Sequence, residues 1–140
     1  MNEANPSYAR SLGFCGALIV VAHFIVALWH LFLVVKTQPG FPTFAPPLLI
    51  LVNLLPVMGA VVLAKRLPKL AGILIAIPLG IALVIGLYAH FLNPGTDNVF
   101  RMPRGKLTLP FQISAAQLVV LEAAGVWFGL VLFAKAKSTR

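Results

Sequence analysis

A chain of 140 residues that is 60% hydrophobic and only 10% charged lies far from the roughly 25% charged composition of soluble domains, which excludes an ordinary water-soluble globule. The formal net charge of +8 does not point to nucleic acid, because the lysines and arginines flank apolar runs instead of forming one basic surface. Cys15 is the single cysteine, so an intrachain disulfide and a CxxC-type metal or redox site are both excluded.

Residues 12–35 form the first apolar run. It is about twice as long as a signal-peptide core and ends without a small-residue cleavage site, so it reads as a retained transmembrane helix. Lys36 and the Gln38-Pro39-Gly40-Phe41-Pro42 turn close it. The second span, 46–64, opens on Pro46 and Pro47, which a first helical turn tolerates, and Pro56 predicts a kink within it. The connection Lys65-Arg66-Leu67-Pro68-Lys69 is short enough only for a tight turn, which makes the second and third spans antiparallel neighbours. The third span, 70–92, bends at Pro78 and stops at Asn93-Pro94-Gly95. In the polar segment 96–109, Val99 to Met102 and Leu107 to Leu109 are candidate strands of a small β-hairpin, which only packing against the helices would hold. The fourth span, 110–134, runs into a basic tail. The fold class expected is therefore an all-α integral membrane protein: one domain over 1–140, an antiparallel four-transmembrane-helix bundle with a short outer loop.

Four spans place both termini on one side. That side carries Arg10, Lys65, Arg66, Lys69, Lys135, Lys137 and Arg140, against Lys36, Arg101, Arg104 and Lys106 on the other. The positive-inside rule then predicts cytoplasmic termini and an external 96–109 loop, in a membrane of the bacterial plasma (inner) type.

Polar residues within the spans carry the functional signal, since an ionisable side chain in hydrocarbon costs at least ~2.5 kcal/mol. Gly16, His23 and His30 are spaced by seven, and each such step returns to within about 20° of the same helix face. A small residue on that stripe directs it toward other helices. Ala115, Glu122 and Gly129 repeat the spacing in the fourth span, and Gly125 adds a small-xxx-small pair. Gly16, Gly125 and Gly129 are thus the predicted packing positions. His23 and Glu122 both fall near mid-span, where they can meet as a charged pair or as a neutral acid bonded to imidazole. His30, Asn53, His90, Gln112 and Gln117 fall in the outer half, and a polar cavity there would gather them.

No catalytic constellation is present: there is no GxSxG elbow, no GxxxxGK[ST] loop, and one intramembrane acid cannot make a di-metal site. No metal site is assigned, and an independent enzyme is not expected. Three functions compete. A non-catalytic accessory or assembly subunit would use the apolar helix faces and the outer loop to dock onto other membrane subunits or a second copy of itself. A binder of b-type haem or of a quinone-like lipophilic ligand would use His30 and His90 as cofactor-binding residues. A small proton-coupled transporter would rest on His23 and Glu122. Common to all three is the lipid bilayer as a partner.

Overall fold

The computed structural model describes residues 6–37, 45–95 and 97–135. The Gln38 to Pro42 turn, Thr96, Lys137 and Arg140 lie outside the described residues. Four α-helices follow in order: α1 (Pro6–Thr37), α2 (Ala45–Ala64), α3 (Pro68–Leu87) and α4 (Thr108–Lys135), with α3 prolonged by a π-helical turn at Tyr88–Leu92. Consecutive helices pack side by side and α4 closes back on α1. The result is an antiparallel bundle whose interior is touched by every helix.

All four helices are long and apolar enough to cross a membrane, over Gly13–Thr37, Pro47–Ala64, Pro68–Leu92 and Thr108–Lys135. Their outward faces carry exposed Phe14, Leu18, Ile25, Val84, Val120 and Trp127. Water would disfavour so continuous an apolar surface, whereas hydrocarbon accepts it. The molecule therefore has the construction of an integral membrane protein.

In lipid, apolar burial distinguishes helix from lipid tail only weakly, so close van der Waals contact must hold the bundle. The tightest contact joins α3 and α4. A Cβ on Gly129 would lie 2.7 Å from the Gly72 carbonyl oxygen and 2.8 Å from the Ala76 amide nitrogen, and one on Gly72 would lie 3.0 Å from the Phe133 amide nitrogen. The two backbones meet directly. Gly125 receives the side chain of Leu79, and Gly16 on α1 receives the ring of Phe128. Val20, Ala71, Ile75, Leu79, Phe128 and Leu132 complete this half of the core. Gly72 is a contact that the sevenfold stripes did not single out, because its own helix has no polar repeat to orient it.

The turn between α2 and α3 follows the helix-terminating pattern in which one residue turns left-handed. Arg66 adopts φ 62°, its amide donates to the Leu63 carbonyl at 2.9 Å, and the Leu67 amide donates to the Val62 carbonyl at 3.3 Å. Glycine usually occupies such a position. Pro68 then starts α3 at a place where its missing amide costs nothing.

At the other end of the bundle the expected β-hairpin does not form; among the described residues no strand occurs. The backbone of this segment bonds back to the helix end instead. The Val99 amide donates to the His90 carbonyl at 2.9 Å, and the Arg101 and Met102 amides donate to the Asn98 carbonyl at 3.0 and 3.1 Å. Buried Asn98 donates to the Asn93 carbonyl at 2.9 Å, and its Oδ1 accepts from the Phe100 amide at 2.9 Å. Val99 is buried with Leu33, Val34, Phe111 and Ala115, with Phe91 and Met102 packed alongside. Short strands would have left these groups facing water, and the turn conformation places them against the helices instead.

Candidate functional site

Both polar stripes face the bundle interior. On α1, Gly16, His23 and His30 are buried, as are Ala115, Glu122, Gly125 and Gly129 on α4. His23 is 2% exposed and Glu122 5%, and the His23 Nε2 lies 3.6 Å from the Glu122 Oε1. That separation is longer than a good hydrogen bond, so each group can still accept another partner. The second carboxyl oxygen of Glu122 lies against Gly86, where a Cβ would come within 3.6 Å of it.

A second polar group lies at the loop end of the bundle. The His30 Nε2 and His90 Nε2 atoms are 3.2 Å apart, and the His30 Nδ1 lies 2.8 Å from the Ser114 hydroxyl. The Nδ1 of His90 faces the Asp97 backbone carbonyl at 3.2 Å. Phe111 completes a three-ring cluster, its centroid 4.8 Å from His30 and 5.6 Å from His90. The π-helical turn Tyr88–Leu92 carries His90, and such an insertion re-aims side chains relative to a regular helix. Outside the spans, burial pushes the Asp97 carboxyl above the ordinary carboxylate range, and His90 opposes part of that shift.

One cavity of about 200 Å³ joins the two groups. His23, His30, Asn53, His90, Asp97 and Glu122 supply its polar lining, and residues such as Ala27, Leu49, Val52 and Leu118 its apolar walls. On α2, Asn53 donates through its amide to the Leu49 carbonyl at 2.7 Å. Among the described residues, the buried side-chain atoms left without a hydrogen-bond partner are Asn53 Oδ1, Asp97 Oδ1 and Glu122 Oε2. All three residues line this cavity. Each unsatisfied acceptor costs about 1–3 kcal/mol, so their convergence marks a place suited to a hydrogen-bond donor.

Two amides expected in this group lie elsewhere. Gln112 is half-buried and donates to the Val99 carbonyl at 2.6 Å, where it pins the loop. Gln117 is exposed on the outer face of α4 and does not join the cavity. It lies two residues beyond buried Ala115, a rotation of about 200° that turns it away from the interior. Ser114 and Asp97 were missed. Ser114 is eleven residues before Gly125 and shares its face to within about 20°, a signal the periodicity did contain. Asp97 carried no such signal, because its burial follows from how an irregular segment folds back.

The histidine pair does not fit haem. Axial ligation points each Nε2 at an iron with a macrocycle between the rings, whereas these two nitrogens are in direct contact across 3.2 Å. No group of three or more His, Cys, Asp or Glu side chains is placed to hold a metal ion among the described residues. No protein-family model, curated protein or solved structure matches this chain.

Proposed function

We propose that the protein binds a small lipophilic molecule bearing hydroxyl groups, of the quinol or phenol class, in the cavity between its four helices. The observation that carries this reading is that Asn53, Asp97 and Glu122, each with a buried side-chain oxygen lacking a hydrogen-bond partner, line one cavity that they share with three histidines and apolar walls. An oxidised quinone offers acceptors alone and would leave these atoms unsatisfied, whereas a quinol or phenol offers O–H donors. A volume of about 200 Å³ lies below the roughly 300–1,000 Å³ of drug-sized ligand sites and so suits nothing larger than a one-ring headgroup. His23, whose Nε2 lies 3.6 Å from Glu122, can donate or accept and so tolerates either orientation of that headgroup. Titration of the protein in nanodiscs with a soluble one-ring quinol tests this: saturable one-to-one binding is expected, and uptake no greater than that of empty nanodiscs overturns it.

The bundle is oriented with both termini in the cytoplasm of a bacterial-type cell and the 96–109 loop outside. The support is the basic excess at the other end, where Lys65, Arg66 and Lys69 are all exposed. Arg104→Cys in a Cys15→Ser background is expected to react with a membrane-impermeant maleimide in intact cells. Reaction only after permeabilisation reverses the orientation.

A role as a subunit of a larger membrane complex is favoured separately by Gln117. Its exposed amide sits on an apolar face between Ile113 and Val120, where lipid offers no hydrogen-bond partner. A photo-crosslinking residue at position 117 is expected to form a discrete adduct with another membrane protein or a second copy. Crosslinking to lipid alone removes this reading.

A further inference from the structure

The two histidines at the loop end do more than line the cavity. Each neutral imidazole carries one N–H, and the partners around this pair restrict where those protons can sit. The Nδ1 of His90 faces the Asp97 carbonyl oxygen, which only accepts, so this nitrogen must carry a proton. The Nε2 of His90 is then bare. The facing Nε2 of His30 must supply the proton between the rings, which leaves the Nδ1 of His30 bare and accepting from the Ser114 hydroxyl. The neutral state thus has one arrangement in which every group is satisfied.

Adding one proton yields a second satisfied arrangement without moving a heavy atom. Both Nδ1 atoms now carry protons and the two Nε2 atoms share one, so four ring nitrogens hold three protons and one positive charge. Ser114 accepts from His30 and turns its own hydroxyl to the Phe111 carbonyl, already within 2.9 Å. A second added proton would set two N–H groups against each other across 3.2 Å, which the pair cannot accommodate intact. The capacity is one.

We infer that His30 and His90 form a binding site for a single proton, with the Ser114 hydroxyl as the rotor that changes partner when the proton is bound. The proton comes from water at the loop end and returns there; no bond between heavy atoms changes. The other titratable groups lining the same cavity are Asp97 on the loop, His23 on α1 and Glu122 on α4, while α2 contributes Asn53 and no titratable group. The site does not require a ligand in the cavity, so failure of quinol binding and failure of this inference are separate results.

Nitrogen-15 NMR of histidine-labelled protein in bilayers reads both arrangements, and a His23→Gln variant leaves only the pair visible. At high pH, His30 is expected as the Nε2–H tautomer and His90 as the Nδ1–H tautomer. On acidification, one proton is taken up per two rings and the Nδ1 of His30 becomes protonated in the same step. In Ser114→Ala the tautomers at high pH are expected to be unchanged, because the Asp97 carbonyl still sets them, whereas the protonated arrangement loses the acceptor for the His30 Nδ1–H and is expected to be less populated at a given acidic pH; Ser114→Thr is expected to restore it. Two rings that titrate independently, each with its own proton, overturn the inference. So does a His30 that carries its proton on Nδ1 at high pH.

Discussion

Leucine at position 129 is expected to destabilise the bundle by about 3 kcal/mol, the upper part of the range for overpacked cores. The atoms that a Cβ on Gly129 would meet are the Gly72 carbonyl oxygen, the Ala76 amide nitrogen and the Ala76 Cβ, all between 2.7 and 2.8 Å away. Backbone in the middle of a helix cannot turn aside, so α3 and α4 must separate. Gly125 offers a contrast, because the obstacle there is the end of the Leu79 side chain, which can change rotamer. Gly125→Ala is therefore expected to cost less than about 1 kcal/mol, helped by the better helix propensity of alanine. Reversible unfolding in mixed detergent, followed by circular dichroism, measures both variants. Equal effects at the two positions would show that backbone contact does not hold this interface.

Loss of the Glu122 carboxyl is expected to weaken quinol binding about tenfold to hundredfold while leaving the helices intact. The Oε2 atom is a buried acceptor with no donor, and a hydrogen bond from a bound hydroxyl to it is worth about 1.5–3 kcal/mol if the carboxyl is charged. That corresponds to about a tenfold to hundredfold weaker binding in Glu122→Leu. Glu122→Gln keeps one acceptor oxygen and is expected to bind within about tenfold of the parent. His23 faces the same carboxyl at 3.6 Å, so Glu122→Leu alone leaves an imidazole without its neighbour. The double variant His23→Leu, Glu122→Leu removes both members and is expected to retain stability to within about 1 kcal/mol. Nanodisc titration with the quinol and detergent unfolding separate the two effects. Undiminished binding in Glu122→Leu would take this residue out of the site.

Periodicity and composition alone determined a good deal of this protein. Proline and glycine punctuation set the helix ends, the five-residue connection from Lys65 to Lys69 made α2 and α3 neighbours, and the sevenfold spacing turned His23, His30 and Glu122 inward. Those inferences succeed because a helix in lipid must satisfy its own backbone, so length, spacing and helix breakers leave little freedom. Tertiary structure alone decided the rest. Which helices meet backbone to backbone depended on Gly72 lying opposite Gly129, a match between two surfaces that neither segment encodes by itself. The direct contact of His30 with His90 depended on the π-helical turn that carries His90 and on its level along the bundle relative to His30. The partial burial of Asp97 depended on the Val99 amide finding the His90 carbonyl, because an irregular segment has no periodicity and its course is set by whichever hydrogen-bond partners the packed helices present.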